Sequence, residues 1–406
     1  MDLKHRDMLE DKVYKEEERV YHNDYGDELE NHNNEEEEED DDDDDEFYTP
    51  GPDSLYNTRI KIADYSITKA QSRLEFQYQQ YQNFDTIENL IKRRRYYNYI
   101  EENFTLQGTQ LISNRFTSNI SYSLINNHLA VSSWNGSCYI LDPNNLNIIN
   151  TISNLHPEKI SGLQWSPIND SILATGGSDG IINIIQNPLY ENFSKLELKG
   201  HLSRINDLKF HPIGNLIASA SADLTWRLWD IEKNLELYYQ EGHTDSVNSI
   251  SIHPDGSLLA SASNDNIIKL WDLRSGKCIS NLIENGHIKS IHALDWRLNG
   301  YHLASGGSDS QLLIWDIRMN KNISSILAHS KLISNVKFTN KGDTLISTGY
   351  DGILSLTSCD NWLVYKKLLT LDKLMACEII EQDDNNLCIL TGGWDRSIKL
   401  YNTNGI

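Results

Sequence analysis

Residues 242–272 read GHTDSVNSISIHPDGSLLASASNDNIIKLWD. Short runs with alternating apolar residues flank the turn His253-Pro254-Asp255-Gly256, so the stretch reads as strands joined by tight turns. Two neighbouring stretches repeat it: GHLSRINDLKFHPIGNLIASASADLTWRLWD at 200–230 and GHIKSIHALDWRLNGYHLASGGSDSQLLIWD at 286–316. The period is measurable. His201, His243, His287 and His329 are 42, 44 and 42 apart, and Asp223, Asp265, Asp309 and Asp351 each lie 22 residues further on. The aspartate ladder extends to Asp179 and Asp395, with Asn135 in the same slot of a first copy. Its steps are 44, 44, 42, 44, 42 and 44.

A period of 40–45 residues with Gly-His and Trp-Asp ends is similar to the WD repeat. One such unit is a four-stranded sheet with too little core to stand alone. Seven stacked around an axis bury both faces of every sheet. The expected fold is therefore all-β: a seven-bladed WD-repeat propeller. Ser219, Ser261, Ser305 and Ser347 lie four positions before the aspartates, and Thr175 and Thr391 share that slot. Trp229, Trp271 and Trp315 lie six after. The resemblance implies a buried hydrogen-bond chain running from Trp through Ser/Thr and Asp to His, structural rather than catalytic. Ile185, Thr357 and Tyr401 replace the tryptophan in repeats two, six and seven. Val131, Asn135 and Leu141 leave repeat one without the chain.

Three segments emerge. Residues 1–46 carry 23 carboxylates against five basic side chains, most of the formal net charge of -23. The unbroken acidic run 35–46 is expected to stay disordered, as a solvated spacer or a docking tail for basic proteins. Residues 47–103 form a hinge (FYTPGP) and a helical extension, with the helix read over 63–104. There Ile67, Ala70, Leu74 and Tyr78 mark a face that must pack on something. Lys92, Arg93, Arg94 and Arg95 precede Tyr96, Tyr97 and Tyr99. They read as an RNA contact, an import signal or a solvated basic face. Residues 104–406 form the propeller. Its seventh repeat supplies three strands, so 104–113 is expected to supply the fourth.

The same sequence argues against other classes. Five cysteines without a CxxC pair exclude a disulfide framework or zinc site. No apolar run is long enough for a membrane span, and the N-terminus lacks a signal-peptide core. Gly276-Lys277 is followed by Cys278, so there is no phosphate-binding loop; no HExxH helix or nucleophile elbow occurs. No cofactor, metal or small-molecule substrate is expected, and no enzyme activity.

Three features make the resemblance narrower. They are the pre-propeller element FYTPGPDSL…ADYSITKAQSRLE, the first repeat with Ser133-Trp134-Asn135-Gly136 in place of Ser-x-Asp, and the linkage of LTWRLWD to QEGH across one turn. With these, residues 47–406 resemble the WD-repeat family of the U4/U6 small nuclear ribonucleoprotein, pre-mRNA processing factor four. The family's upstream element around Leu-Phe-Gly-Glu is absent here, and the acidic tail stands in its place. The resemblance implies a nuclear, non-catalytic scaffold of the U4/U6 and U4/U6.U5 particles in splicing. Its implied partners are the companion factor of the pre-mRNA processing factor three family and other tri-snRNP proteins, with U4/U6 snRNA met directly or through them. The rival from another class is a substrate adaptor of a ubiquitin ligase or a targeting receptor. The partner surface is expected on the top face. Trp134, Tyr350 and Trp394, just before the aspartate slots of repeats one, six and seven, fall together once the ring closes. Lys159, Arg204, Asn206 and Asn248 sit nearby at the starts of innermost strands.

Overall fold

The computed structural model describes residues 53–82, 86–169, 171–190, 192–383 and 386–403. The acidic tail at 1–46 and the hinge at 47–52 lie outside the described residues. The rest is a ring of seven four-stranded antiparallel sheets, preceded by helices α1 (Asp53–Gln82) and α2 (Thr86–Asn103). Six sheets are built from strands consecutive in sequence. The seventh is not. Its outermost strand, β1 (Thr105–Leu111), comes from before the first blade and pairs antiparallel with the last strand, Ser397–Asn402. The two ends of the propeller thus share one sheet.

Blade faces are apolar because each strand alternates toward its two neighbours. Leu259, Ala260, Leu270, Trp271 and Leu294 are all buried between blades. Innermost strands line the axis. Each is interrupted by a β-bulge after its first residue, as at Ile205/Asp207 and Val247/Ser249. The bulge turns the extra side chain sideways along the ring. Ser118 Oγ donates to Ile160 O of the next blade. Asn206 Nδ2 donates to Val247 O at 2.8 Å, Asn248 Nδ2 to Ile291 O at 2.8 Å, and Ser334 Oγ to Leu374 O at 2.8 Å.

The extension differs from its sequence reading in two ways. It is two helices rather than one, and the packed face of α1 is not the apolar stripe. Ile67, Leu74 and Tyr78 are 61, 56 and 64% exposed. Leu55, Thr58, Ile62 and Ser66 are buried instead. The hydroxyls of Thr58 and Ser66 bond to backbone carbonyls of their own helix, so two small polar residues complete a closely seated face. Farther along, Arg73 grips both carboxylate oxygens of Asp255 and donates to Asn299 O at 2.8 Å. Helix α1 therefore lies on the strand one–two turns, opposite the face that carries the links between blades. Helix α2 anchors on the same side through Ile100, Tyr97 and Arg93, and Phe104 just beyond it stacks on Tyr401.

Four inter-blade links carry histidines at the ladder positions, and here the observed chain runs in a different order from the expected one. Trp229 Nε1 donates to Ser219 Oγ at 2.8 Å. Ser219 bonds to His201 Nε2 at 2.7 Å, and His201 Nδ1 meets Asp223 at 2.8 Å. The order is Trp–Ser–His–Asp. Each group donates to the next, which a neutral imidazole with its proton on Nδ1 permits. Burial alone would raise the Asp223 carboxyl, but hydrogen bonds from His201 and Thr225 outweigh it and hold it below the usual range. The same chain joins Trp271, Ser261, His243 and Asp265, and again Trp315, Ser305, His287 and Asp309. In blade six His329, Ser347 and Asp351 remain, with Thr357 in place of the tryptophan. Blade two holds a chain that the ladder missed. His156, one position out of register, joins Asp179 and Thr175 at 3.0 Å, and Asn183 donates to it at 2.9 Å. In blade one Asn135 bonds to Tyr139 and to the Ser137 amide instead.

Three measurements follow from these contacts. A chain starting at Asn114 lacks β1 and both helices, and is expected to melt well below one starting at Asp53 or to aggregate; equal melting of two monomers would contradict the closure role. Ser261→Ala strands the Trp271 N–H and His243 Nε2 in the interior, and should cost about 1–3 kcal/mol in urea unfolding. The third concerns pH. Burial pushes His211 down to about 4 and also lowers His253; each donates from Nε2 to a neighbouring blade's turn, at Gly256 O and Gly300 O. The unfolded chain takes up these protons first, near pH 6.5. Stability is thus full above that pH and falls as pH drops from about 6.5 toward 4. Urea midpoints measured across that window should fall more steeply for the unmodified chain than for His211→Asn, and equal slopes would contradict a neutral buried ring at His211.

Candidate protein-binding surface

The face that carries the inter-blade links is free of both helices. Its most organised feature spans blades six, seven, one and two. The turn before each aspartate slot places Trp134 and Trp394 on either side of the blade seven–one boundary. They do not touch directly; Phe116 lies between them. Phe116 stacks on Trp394 with centroids 4.7 Å apart and planes 17° from parallel, and meets Trp134 edge-on at 5.4 Å. Lysines close the outer ring faces. Lys373 Nζ sits 4.0 Å from the Trp394 centroid and 5.3 Å from that of Tyr350, while Lys159 Nζ lies 4.7 Å from Trp134. The result is a row Tyr350–Lys373–Trp394–Phe116–Trp134–Lys159, half-buried throughout.

Phe116 and Lys373 were not among the residues singled out from the sequence. Both occupy the position just before an innermost strand, the slot that also holds Lys159 and Arg204. That shared slot was the available signal. The row also settles how the aromatic residues stand: they lean on one another across blades, so part of their surface serves the rim. Trp394 Nε1 donates to Met375 Sδ at 3.2 Å, whereas Trp134 Nε1 is buried without a partner.

The remaining expected residues divide. Arg204 is exposed. Lys159 has its pKa lowered by burial and by the charge of Arg204, so the two cations share one neighbourhood. Asn206 and Asn248 are spent on the bulge bonds described above, which makes them clasps between blades rather than free donors. Below this rim opens the central channel, about 600 Å³, lined in part by Lys159, Arg204, Asn206, Asn248, Asp295 and Lys337. Burial pushes the Asp295 carboxyl up to about 6, although it accepts from Phe338 N of the next blade. Lys337 pairs with Glu378 at 2.6 Å. These channel charges tie blade to blade. Among the described residues no cluster of histidine, cysteine and carboxylate side chains could hold a metal ion.

The basic run on α2 is not one patch. Four successive residues point around the whole helix at 100° each. Lys92 pairs with Glu88 at 2.7 Å, and Arg93 pairs with Asp360 of blade six. Tyr97 donates to Asp343 O at 3.0 Å and packs on Tyr365. Among the described residues Arg94 and Arg95 are the two of the four that are exposed and have no ion-pair partner.

Comparison with known proteins agrees with this architecture. The WD domain, G-beta repeat, matches residues 193–230, 235–272 and 276–316. A protein of Saccharomyces cerevisiae named U4/U6 small nuclear ribonucleoprotein PRP4 is 43% identical over 362 residues, spanning 88% of this chain and 77% of that protein. The chain belongs to the PRP4 family of WD-repeat proteins. More distant likeness extends to an uncharacterized WD repeat-containing protein of Schizosaccharomyces pombe, 33% identical over 43% of this chain and 39% of that protein. A coronin-like protein of the same yeast is 37% identical over 20% of this chain and 15% of its own length. These partial matches reflect the shared repeat. The PRP4-family match continues into the rest of the chain.

Charge neutralisation should separate the two kinds of cation on α2. Arg93→Ala is expected to lower the melting temperature by a few degrees through loss of the Asp360 contact, whereas Arg94→Ala with Arg95→Ala should leave it within about one degree. Equal effects would mean that Arg93 does not anchor the helix.

Proposed function

We propose that this protein is a non-catalytic scaffold of the U4/U6 small nuclear ribonucleoprotein, acting in the nucleus in pre-mRNA splicing. The observation that carries the reading is the extent of the PRP4 likeness, which covers 88% of the chain rather than the repeats alone. The buried histidines and aspartates support it: each described Trp–Ser–His–Asp chain is spent within a blade. The companion U4/U6-specific factor of the pre-mRNA processing factor three family is the proposed principal partner, together with other proteins of the U4/U6.U5 particle. The proposed docking face is the one that carries the link turns, centred on Trp134, Trp394 and Tyr350 with Lys159 and Arg204 beside them. The exposed Arg94 and Arg95 offer a separate contact for U4/U6 snRNA phosphates.

Sequencing the RNA that co-purifies with the tagged protein from nuclear extract tests the assembly. U4 and U6 enrichment is expected; their absence would favour an adaptor role outside splicing. Trp394→Ala should weaken partner binding by about 2 kcal/mol if the ring is an interface anchor. An unchanged affinity would move the interface to another face.

A further inference from the structure

The propeller segment 104–406 is acidic as a whole, with 29 carboxylates against 23 basic side chains. The rim of the free face across blades seven, one, two and three is not. Arg115, Lys159, Arg204 and Lys373 stand on its link turns, and Arg396 directly follows the aspartate of the blade-seven turn. Among the described residues none of the five has a carboxylate within ion-pair distance. The nearby Asp395 pairs with Lys399, and Asp179 and Asp223 accept from His156 and His201, which turns them inward but leaves their charge in place. With the exposed Glu158 and Asp372 the sector has five carboxylates against six cations, Lys399 included.

Two further observations narrow the ligand. The aromatic faces are closed: Trp394 lies between Phe116 and Lys373, and Lys159 covers Trp134. Nucleic-acid bases therefore find both faces of Trp394 and one face of Trp134 already taken, where stacking is the usual source of affinity for single strands. Beside the cations stand leucines with almost no cover. Leu371, two residues before Lys373, and Leu202, two residues before Arg204, are fully and 90% exposed. A phosphate backbone gains nothing from such side chains, whereas a peptide can bury its own apolar residues on them.

We infer that this rim takes an acidic protein segment that alternates carboxylates with apolar side chains, laid over blades seven, one, two and three. The carboxylates meet Lys373, Lys159 and Arg204, and the apolar residues cover Leu371 and Leu202. The proposal rests on the reading of this face as the partner surface and adds the chemistry of the partner.

The test uses the full chain and two labelled probes, a 15-residue peptide of repeated Glu-Glu-Leu and a 15-nucleotide oligouridylate, followed by fluorescence anisotropy. The peptide is expected to bind, with affinity falling as salt rises. Lys159→Glu with Arg204→Glu should weaken it at least tenfold, and Leu202→Ser with Leu371→Ser should weaken it several-fold. Melting temperatures should stay unchanged for the exposed Arg204, Leu202 and Leu371; Lys159→Glu also gives up the contact with the Trp134 ring, so Arg204→Glu alone is expected to repeat a several-fold loss with the fold untouched. Tighter binding of the oligouridylate, insensitive to the leucine changes, would overturn the proposal in favour of RNA. Failure of the peptide to bind at low salt would overturn it too. Recovery of U4 and U6 with the charge-reversed protein at the unmodified level would refute the rim's role while leaving the particle assignment standing. Their absence with the unmodified protein would instead refute the assignment itself.

Discussion

Among the described residues the seven sheets arranged around the axis have no backbone hydrogen bonds between them, and much of this structure answers to that fact. A single sheet satisfies its own ladder, but its inner edge faces a channel and its faces meet only side chains. The ring holds because blade seven is made from both ends of the propeller, so opening it must peel β1 from Ser397–Asn402. A closed ring turns six apolar inter-blade faces into seven. That difference separates a cooperative fold from an open stack that exposes a sheet face and an unpaired edge.

Side chains supply what the backbone cannot. The bulge at the start of each innermost strand frees one residue to reach sideways, and Ser118, Asn206, Asn248 and Ser334 use it to bond a carbonyl of the next blade. One layer deeper, Gln164 accepts from Phe210 N, Asp207 from Ile250 N and Asp295 from Phe338 N. A third set works inside blades, where the Trp–Ser–His–Asp chain pins a link turn to the sheet beneath it. Buried polar groups would be a liability in such a core. They are tolerated because each donor in a chain has one acceptor, and they impose a register that apolar packing alone leaves loose.

The fold was legible in the sequence because the repeat is read by counting. Seven aspartate-slot residues at steps of 42 and 44 give seven blades with little dependence on propensity. What counting could not reach was anything set by direction. His156 escaped because Pro157 occupies the ladder position and the ring reaches Asp179 from one residue earlier. Asn206 and Asn248 were placed on the right strands, yet a bulge decides whether such an amide faces a partner or the next blade. Phe116 carries no motif; it becomes central only when closure sets blade one against blade seven. On α1 the apolar stripe was visible, but a helix laid on turns rich in carbonyls and carboxylates is held better by Arg73, and the stripe was left facing out.

The division of the disc into two faces follows from the same chemistry. On the helix side three arginines are tied down: Arg73 by Asp255, Arg93 by Asp360, Arg297 by Gly342 O. On the link side the aspartates of the histidine chains are drawn inward, and at Asp223, Asp265 and Asp309 the hydrogen bonds outweigh the cost of burial. An aspartate held that way keeps its charge but is withdrawn from contact with a partner. The lysines and arginines of neighbouring links then stand outermost on the turns although the chain as a whole is strongly acidic. Local potential, not net charge, governs which partner approaches a surface first. The repeat that builds the core therefore also biases one face of the disc toward anions, before any partner-specific residue is considered.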